Sequence, residues 1–118
     1  MTINSALAEC SRILGDTVPE ETIEGWLSEI EAILTEEIAE THEKSTAHDD
    51  TAGRERELFV PDPHSRLYVD YVIMMNDLRL RDMQRYINSA SVFSAAYCAF
   101  ADRYNRTHFP VGETKIVL

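Results

Sequence analysis

Cationic side chains are almost missing from the first third of this chain. Residues 1–43 carry one base, Arg12, against 11 acids, for a net charge of −10. Residues 44–118 balance 10 acids with 10 bases, so the whole excess of negative charge belongs to the first third. A field of that sign repels nucleic acid and anionic membranes unless the few arginines gather on one face, which disfavours free-standing DNA binding as a primary role. Long apolar runs are missing too, and no stretch approaches the ~20 residues that span a bilayer. Met1 to Glu9 has neither a basic start nor a long apolar run, so no secretory signal is expected there. Cysteine is scarce. Cys10 and Cys98 allow one bridge at most, and both sit in apolar helical patterns, which predicts two reduced core thiols in a cytosolic protein. The four glycines, Gly15, Gly25, Gly53 and Gly112, are isolated, so no glycine-rich phosphate loop exists. Four prolines beside them are too few for a collagen-like or wholly disordered chain.

The 118 residues suit a single domain spanning 1–118. Its periodicity is helical throughout. Ile3, Ala6, Leu7, Cys10, Ile13 and Leu14 predict a short first helix over 3–14, capped at Asn4 or Ser5 and ended by Gly15. A second helix begins near Pro19, with Glu20, Glu21 and Glu24 in its first turns, where carboxylates meet the positive end of the dipole. Ile23, Trp26, Leu27, Ile30, Ile33, Leu34 and Ile38 form its apolar stripe. Glu24, Glu31 and Glu36 mark the opposite, solvated face. Gly25 inside this helix costs up to ~1 kcal/mol relative to alanine, and close approach by another helix would account for it.

From about 43 to 57 the periodicity vanishes, which predicts a long flexible surface loop. Leu58–Phe59–Val60 reads as a short extended segment, and Pro63 is placed to open a third helix over 64–79. Leu67, Tyr68, Tyr71, Val72, Met75 and Leu78 are its inward residues. In the fourth helix, 82–107, Met83, Tyr86, Ala90, Phe93, Tyr97, Phe100 and Tyr104 recur at alternating intervals of three and four. That seam predicts the central core helix. The pattern leaves open whether residues 64–107 break near Leu80–Arg81 or run on, although an unbroken helix would reach ~66 Å, too long for so small a domain. Residues 111–118 form a short tail whose Ile116, Val117 and Leu118 need cover, beside Leu58–Val60 or on a neighbouring subunit. The expected fold is all-α, a compact helical bundle of three principal helices plus the short N-terminal one.

Catalytic chemistry finds little support. His42, His48, His64 and His108 form no HExxH pair and lie at no established zinc spacing. His48–Asp49–Asp50 sits in the loop without fixed geometry. No nucleophile stands on a strand-to-helix elbow. The carboxylate pairs Glu20/Glu24 and Glu36/Glu40 look like solvated helix ridges. No enzyme activity, cofactor or metal is expected. Arginines gather at two places: Arg79, Arg81 and Arg85 where helix four begins, and Arg103 and Arg106 at its far end, with Arg54 and Arg56 in the loop. Such clusters fall short of a phosphate-tracking stripe. They allow only weak non-specific contact with packaged DNA, as a summed property of many copies. A neutral or basic surface on a partner is the alternative to a merely solvated acidic face. This makes Glu24, Glu31, Glu36, Arg79, Arg81, Arg85, Arg106 and His108 the candidate subunit contacts.

Residues 60–110 also resemble a family of small head–tail connector, or neck, proteins encoded in phages and prophages of Gram-positive bacteria. The resemblance rests on Val60–Pro61–Asp62–Pro63, Leu67–Tyr68–Val69–Asp70–Tyr71, Arg85–Tyr86–Ile87–Asn88–Ser89, Phe93–Ser94–Ala95–Ala96–Tyr97 and Tyr104–Asn105–Arg106–Thr107–His108–Phe109–Pro110. Pro19 through Trp26–Leu27–Ser28–Glu29–Ile30 is similar to the family's N-terminal portion. Leu80–Arg81 departs from it, because relatives tend to carry Asn–Gly there, a better turn signal. The resemblance implies a structural subunit that self-associates in a ring. It would meet portal and tail-side neck proteins in the virion neck, after synthesis in the host cytoplasm. A host helical protein–protein interaction or regulatory module without catalytic activity is the alternative.

Overall fold

The computed structural model describes residues 1–39 and 53–107. Among them are four α-helices and no strand: α1 Ile3–Leu14, α2 Glu20–Leu34, α3 Arg66–Arg79 and α4 Met83–Thr107. The all-α expectation holds. Thr2 caps α1 by accepting from the Ser5 N–H, two residues ahead of the expected cap. Gly15 ends the helix at φ +73°, the left-handed conformation that glycine adopts without a steric cost. A π-helical turn, Thr35–Ala39, extends α2, with the Thr35 hydroxyl donating to the carbonyls of Glu31 and Ala32. The Ile38 side chain stays in the core through this turn, continuing the apolar stripe as read from its spacing.

The helix at the centre is α3, which corrects the reading of α4 as central. Leu67, Tyr68, Val69, Asp70, Tyr71 and Val72 are consecutive and all buried, because α1 and α2 pack on α3 and α4 packs along it. A helix covered on every side needs no amphipathic pattern, so its periodicity understates its burial. On α4 only Phe100 and Tyr104 are buried. Phe93 and Tyr97 are half-buried against the core, as are Trp26 of α2 and Met75 of α3. Tyr86 is partly exposed and Met83 half-exposed at 50%, so neither is a core residue, and Leu78 also faces outward. The reason is a lack of cover near the turn. There α4 has only α3 beside it, and α2 and its extension reach α4 at Phe93 and Tyr97. The far end of α4 is sealed by Phe59, whose ring stands 5.8 Å from Phe100 and 5.5 Å from Tyr104.

Residues 53–57, expected to belong to a flexible loop, form a short 3₁₀ turn followed by pairing with the N-terminus. The Ile3 N–H donates to the Arg56 carbonyl at 3.2 Å, and the Leu58 N–H to the Met1 carbonyl at 2.9 Å. Leu58 and Val60 are buried. The rest of the expected loop and the tail 111–118 lie outside the described residues. Pro63 falls in the turn before α3 instead of opening it.

One carboxyl group ties this segment to the bundle. Glu31 is 4% exposed. Its Oε2 accepts from the Phe59 N–H at 2.8 Å and its Oε1 from the Tyr68 hydroxyl at 2.6 Å. The Tyr68 oxygen in turn accepts from the Val60 N–H at 2.9 Å. Two backbone donors that no ladder satisfies are thus met by one tyrosine and one glutamate.

The break between α3 and α4 is clean. The Arg81 N–H reaches the Leu78 carbonyl at 3.0 Å and the Asp82 N–H the Asp77 carbonyl at 3.1 Å. This is the Schellman pattern, with Arg81 in the left-handed position at φ +59°. Asp82 then starts α4, its side chain accepting from the Arg85 N–H at 3.2 Å.

Two predictions follow from these contacts. Arg81→Gly removes the left-handed penalty and raises stability in urea unfolding by about 1 kcal/mol; a lowered midpoint would contradict the turn. Glu31→Ala strands the Phe59 N–H and the Tyr68 hydroxyl in a buried site and costs about 2–4 kcal/mol. Loss below ~1 kcal/mol would show that the group is not structural.

Candidate interaction surface

The acidic face of α2 is engaged differently from the expectation. Glu31 is not a surface residue. It stands four residues after Leu27 and three before Leu34, on the apolar stripe itself, and that spacing was the available signal. Its neighbours Glu29 and Glu37 are exposed but accept from tyrosines across the bundle: Tyr71 to Glu29 at 2.7 Å and Tyr97 to Glu37 at 2.6 Å. With Tyr68, three tyrosine hydroxyls thus meet three glutamates of α2 and its extension. Burial, reinforced by the Glu37 carboxyl, pushes the Tyr97 phenol up to about 12. Tyr68 and Tyr71 are raised further, first by burial and then by Glu31 and Glu29. Glu36 is exposed and Glu24 half-buried.

The arginines at the α3–α4 turn point outward, each exposed. Arg79 donates to the Asn76 side chain at 3.1 and 3.2 Å. Arg85 lies 3.7 Å from the buried Asp77. Arg81 projects from the turn. These three share one end of the molecule with Leu78, Leu80, Met83 and Ile87, which are 41%, 54%, 50% and 59% exposed. Arg106 is exposed near the other end of α4, on the last turn. His108 lies outside the described residues, as do His42 and His48. His64 is half-buried with its ring 5.8 Å from Phe100.

Between α2 and α4 lies an apolar cleft of about 240 Å³, floored by Tyr71 and walled by Ile30, Ile33, Phe93 and Tyr97, with Glu37 at its rim. Sequence reasoning missed it, because it assigned Phe93 and Tyr97 to a filled interior. It also passed over a compositional signal: no charged residue occurs between Arg85 and Asp102. Half of that helix faces outward, and Val92 on it is 55% exposed. An ordinary solvated helix face carries charge.

Little here resembles a catalytic constellation. Among the described residues, no group of three His, Cys, Asp or Glu side chains is arranged to hold a metal ion. Also among them, no helix is long and apolar enough to cross a membrane. Asp70 is buried with Arg66 at 3.5 Å, and burial outweighs that partner, leaving its carboxyl above its ordinary range. The two cysteines are free and differ in setting. Cys10 is buried, its thiol pushed up to about 12 mainly by desolvation. Cys98 is exposed, which corrects its assignment to the core. It follows Tyr97 by one residue, about 100° around the helix from the seam.

No protein-family model matches this chain, and no curated protein or solved structure matches it significantly.

The cysteine settings predict a reactivity split. One thiol, Cys98, titrates promptly with Ellman's reagent at mildly alkaline pH, and Cys10 reacts only after denaturation. A Cys98→Ser variant that still titrates promptly would contradict this arrangement.

Proposed function

We propose that this chain is a structural subunit of a phage or prophage head–tail connector, acting without catalysis and assembling as a ring. The observation that carries the self-assembling part is the exposed apolar end of the α3–α4 hairpin, with three arginines among its leucines and methionine. Apolar side chains grouped in this way on a small helical body mark a surface meant for another macromolecule. The connector assignment itself rests on the resemblance of residues 60–110. A rigid bundle clamped by buried hydrogen bonds suits a part that must hold a fixed shape between portal and tail.

In this reading the subunit works by contact alone. The bundle supplies the wall of the ring, and the arginine and glutamate ends set its register with neighbouring copies. Packaged DNA would feel only a weak, non-specific attraction from repeated arginines. The same hairpin end would equally serve a host interaction module, and the two readings part on their partners.

Mixing the chain with a portal protein encoded in the same genome tests the proposal. Mass photometry should show many copies joining one portal, and cryo-microscopy of virions should place this chain in the collar. A collar without it, or a gene standing apart from portal, capsid and tail genes, would favour the host module.

A further inference from the structure

We propose that the α3–α4 hairpin tip of one copy docks in the α2/α4 cleft of a second copy. This deepens the reading of the chain as a self-assembling subunit and rests on it. The tip offers Leu80, Met83 and Ile87, all at least half exposed, within eight residues of chain. The cleft offers a complementary recess. An apolar cavity of about 150 Å³ accommodates a benzene ring, so the 240 Å³ here accepts one or two aliphatic side chains.

Charge agrees with shape. Arg79, Arg81 and Arg85 stand at the apolar tip and outnumber Asp77 and Asp82 there, leaving it a net positive charge. The cleft is rimmed by Glu37, with Glu29 bonded to its floor residue Tyr71 and Glu36 exposed on the adjoining turn. No lysine or arginine occurs between Arg12 and Lys44, so α2 presents a uniformly acidic edge. Opposite charges around matched apolar centres favour this pairing over tip-to-tip or cleft-to-cleft contact.

The tip cannot reach the cleft of its own molecule. Phe93 and Tyr97 lie ten and fourteen residues along α4 from Met83, ~15–21 Å away on one rigid helix. A contact using two different patches is heterologous. Repeated from copy to copy, it closes into a ring or runs on as a filament. The Arg81 backbone fits this role. The turn keeps an arginine in a left-handed conformation that glycine adopts more cheaply, and local strain of this sort is retained where a side chain is needed.

Complementation between two surface variants tests the contact. Met83→Glu spoils the tip, and Ser94→Arg, an exposed position lining the cleft, blocks the recess. Sedimentation equilibrium up to millimolar concentration should show wild type forming species beyond dimer, less so at high salt. Each variant alone should lose about tenfold or more in association constant while keeping its helical circular dichroism. An equimolar mixture should form dimers and stop there, since one intact tip and one intact cleft remain. Arg81→Gly separates folding from association: it should unfold later yet associate several-fold more weakly. A monomeric wild type across that range, a mixture that stays monomeric, or variants that assemble like wild type would each overturn the contact. Rings unaffected by both variants would reject this interface while leaving the ring-forming subunit intact as a reading. Absence from the collar would reject the connector reading whatever the interface does.

Discussion

A carboxyl group in the middle of an apolar helix stripe is costly unless its oxygens are used, and Glu31 uses both. One accepts a backbone N–H from Phe59 and the other the Tyr68 hydroxyl, which itself accepts from Val60. The bonds tie α2, α3 and the segment entering α3 into one unit. Such networks stabilise when every member is satisfied and become liabilities when one is lost. The position of Phe59 depends on this clamp, and Phe59 caps the buried end of α4 through Phe100 and Tyr104. Glu31 thus helps to hold the far end of α4 through Phe59.

The same arrangement explains why α4 is buried at one end and bare at the other. Where Phe59 and His64 lie against it, its aromatic residues are covered. Where only α3 is available, Tyr86 is partly open and Met83 and Ile87 face outward. Between those ends α2 and α4 flank Tyr71, leaving the cleft. Its tyrosine walls and floor are held in place by Glu29 and Glu37, so the recess is a supported shape and not a packing fault. Rigid support under a docking surface limits the entropy lost on association.

Much of the architecture was legible in the residues. The α1 limits agree with the reading because Gly15 is an unambiguous stop, and α2 starts where Pro19 and paired glutamates place it. What escaped the reading was three-dimensional. Chemical type places Glu31 on the wet face, although its spacing from Leu27 and Leu34 puts it on the dry one. The seam of α4 is regular, yet regularity reports only which residues share a face and not whether a partner lies there to cover them. The turn at Leu80–Arg81 lacked a glycine, so only the backbone hydrogen bonds reveal how cleanly the helices separate. The cleft could not be inferred, since it depends on how two helices pack on a third.

Native-state hydrogen exchange at the amides of Phe59 and Val60 tests most directly whether the buried clamp organises the molecule. Neither amide belongs to a helix or ladder, so ordinary segment behaviour would let them exchange quickly. The account predicts protection close to that of the α3 backbone, abolished at both amides in a Tyr68→Phe, Glu31→Ala double variant that retains its helices. Rapid exchange in the unaltered protein would contradict it.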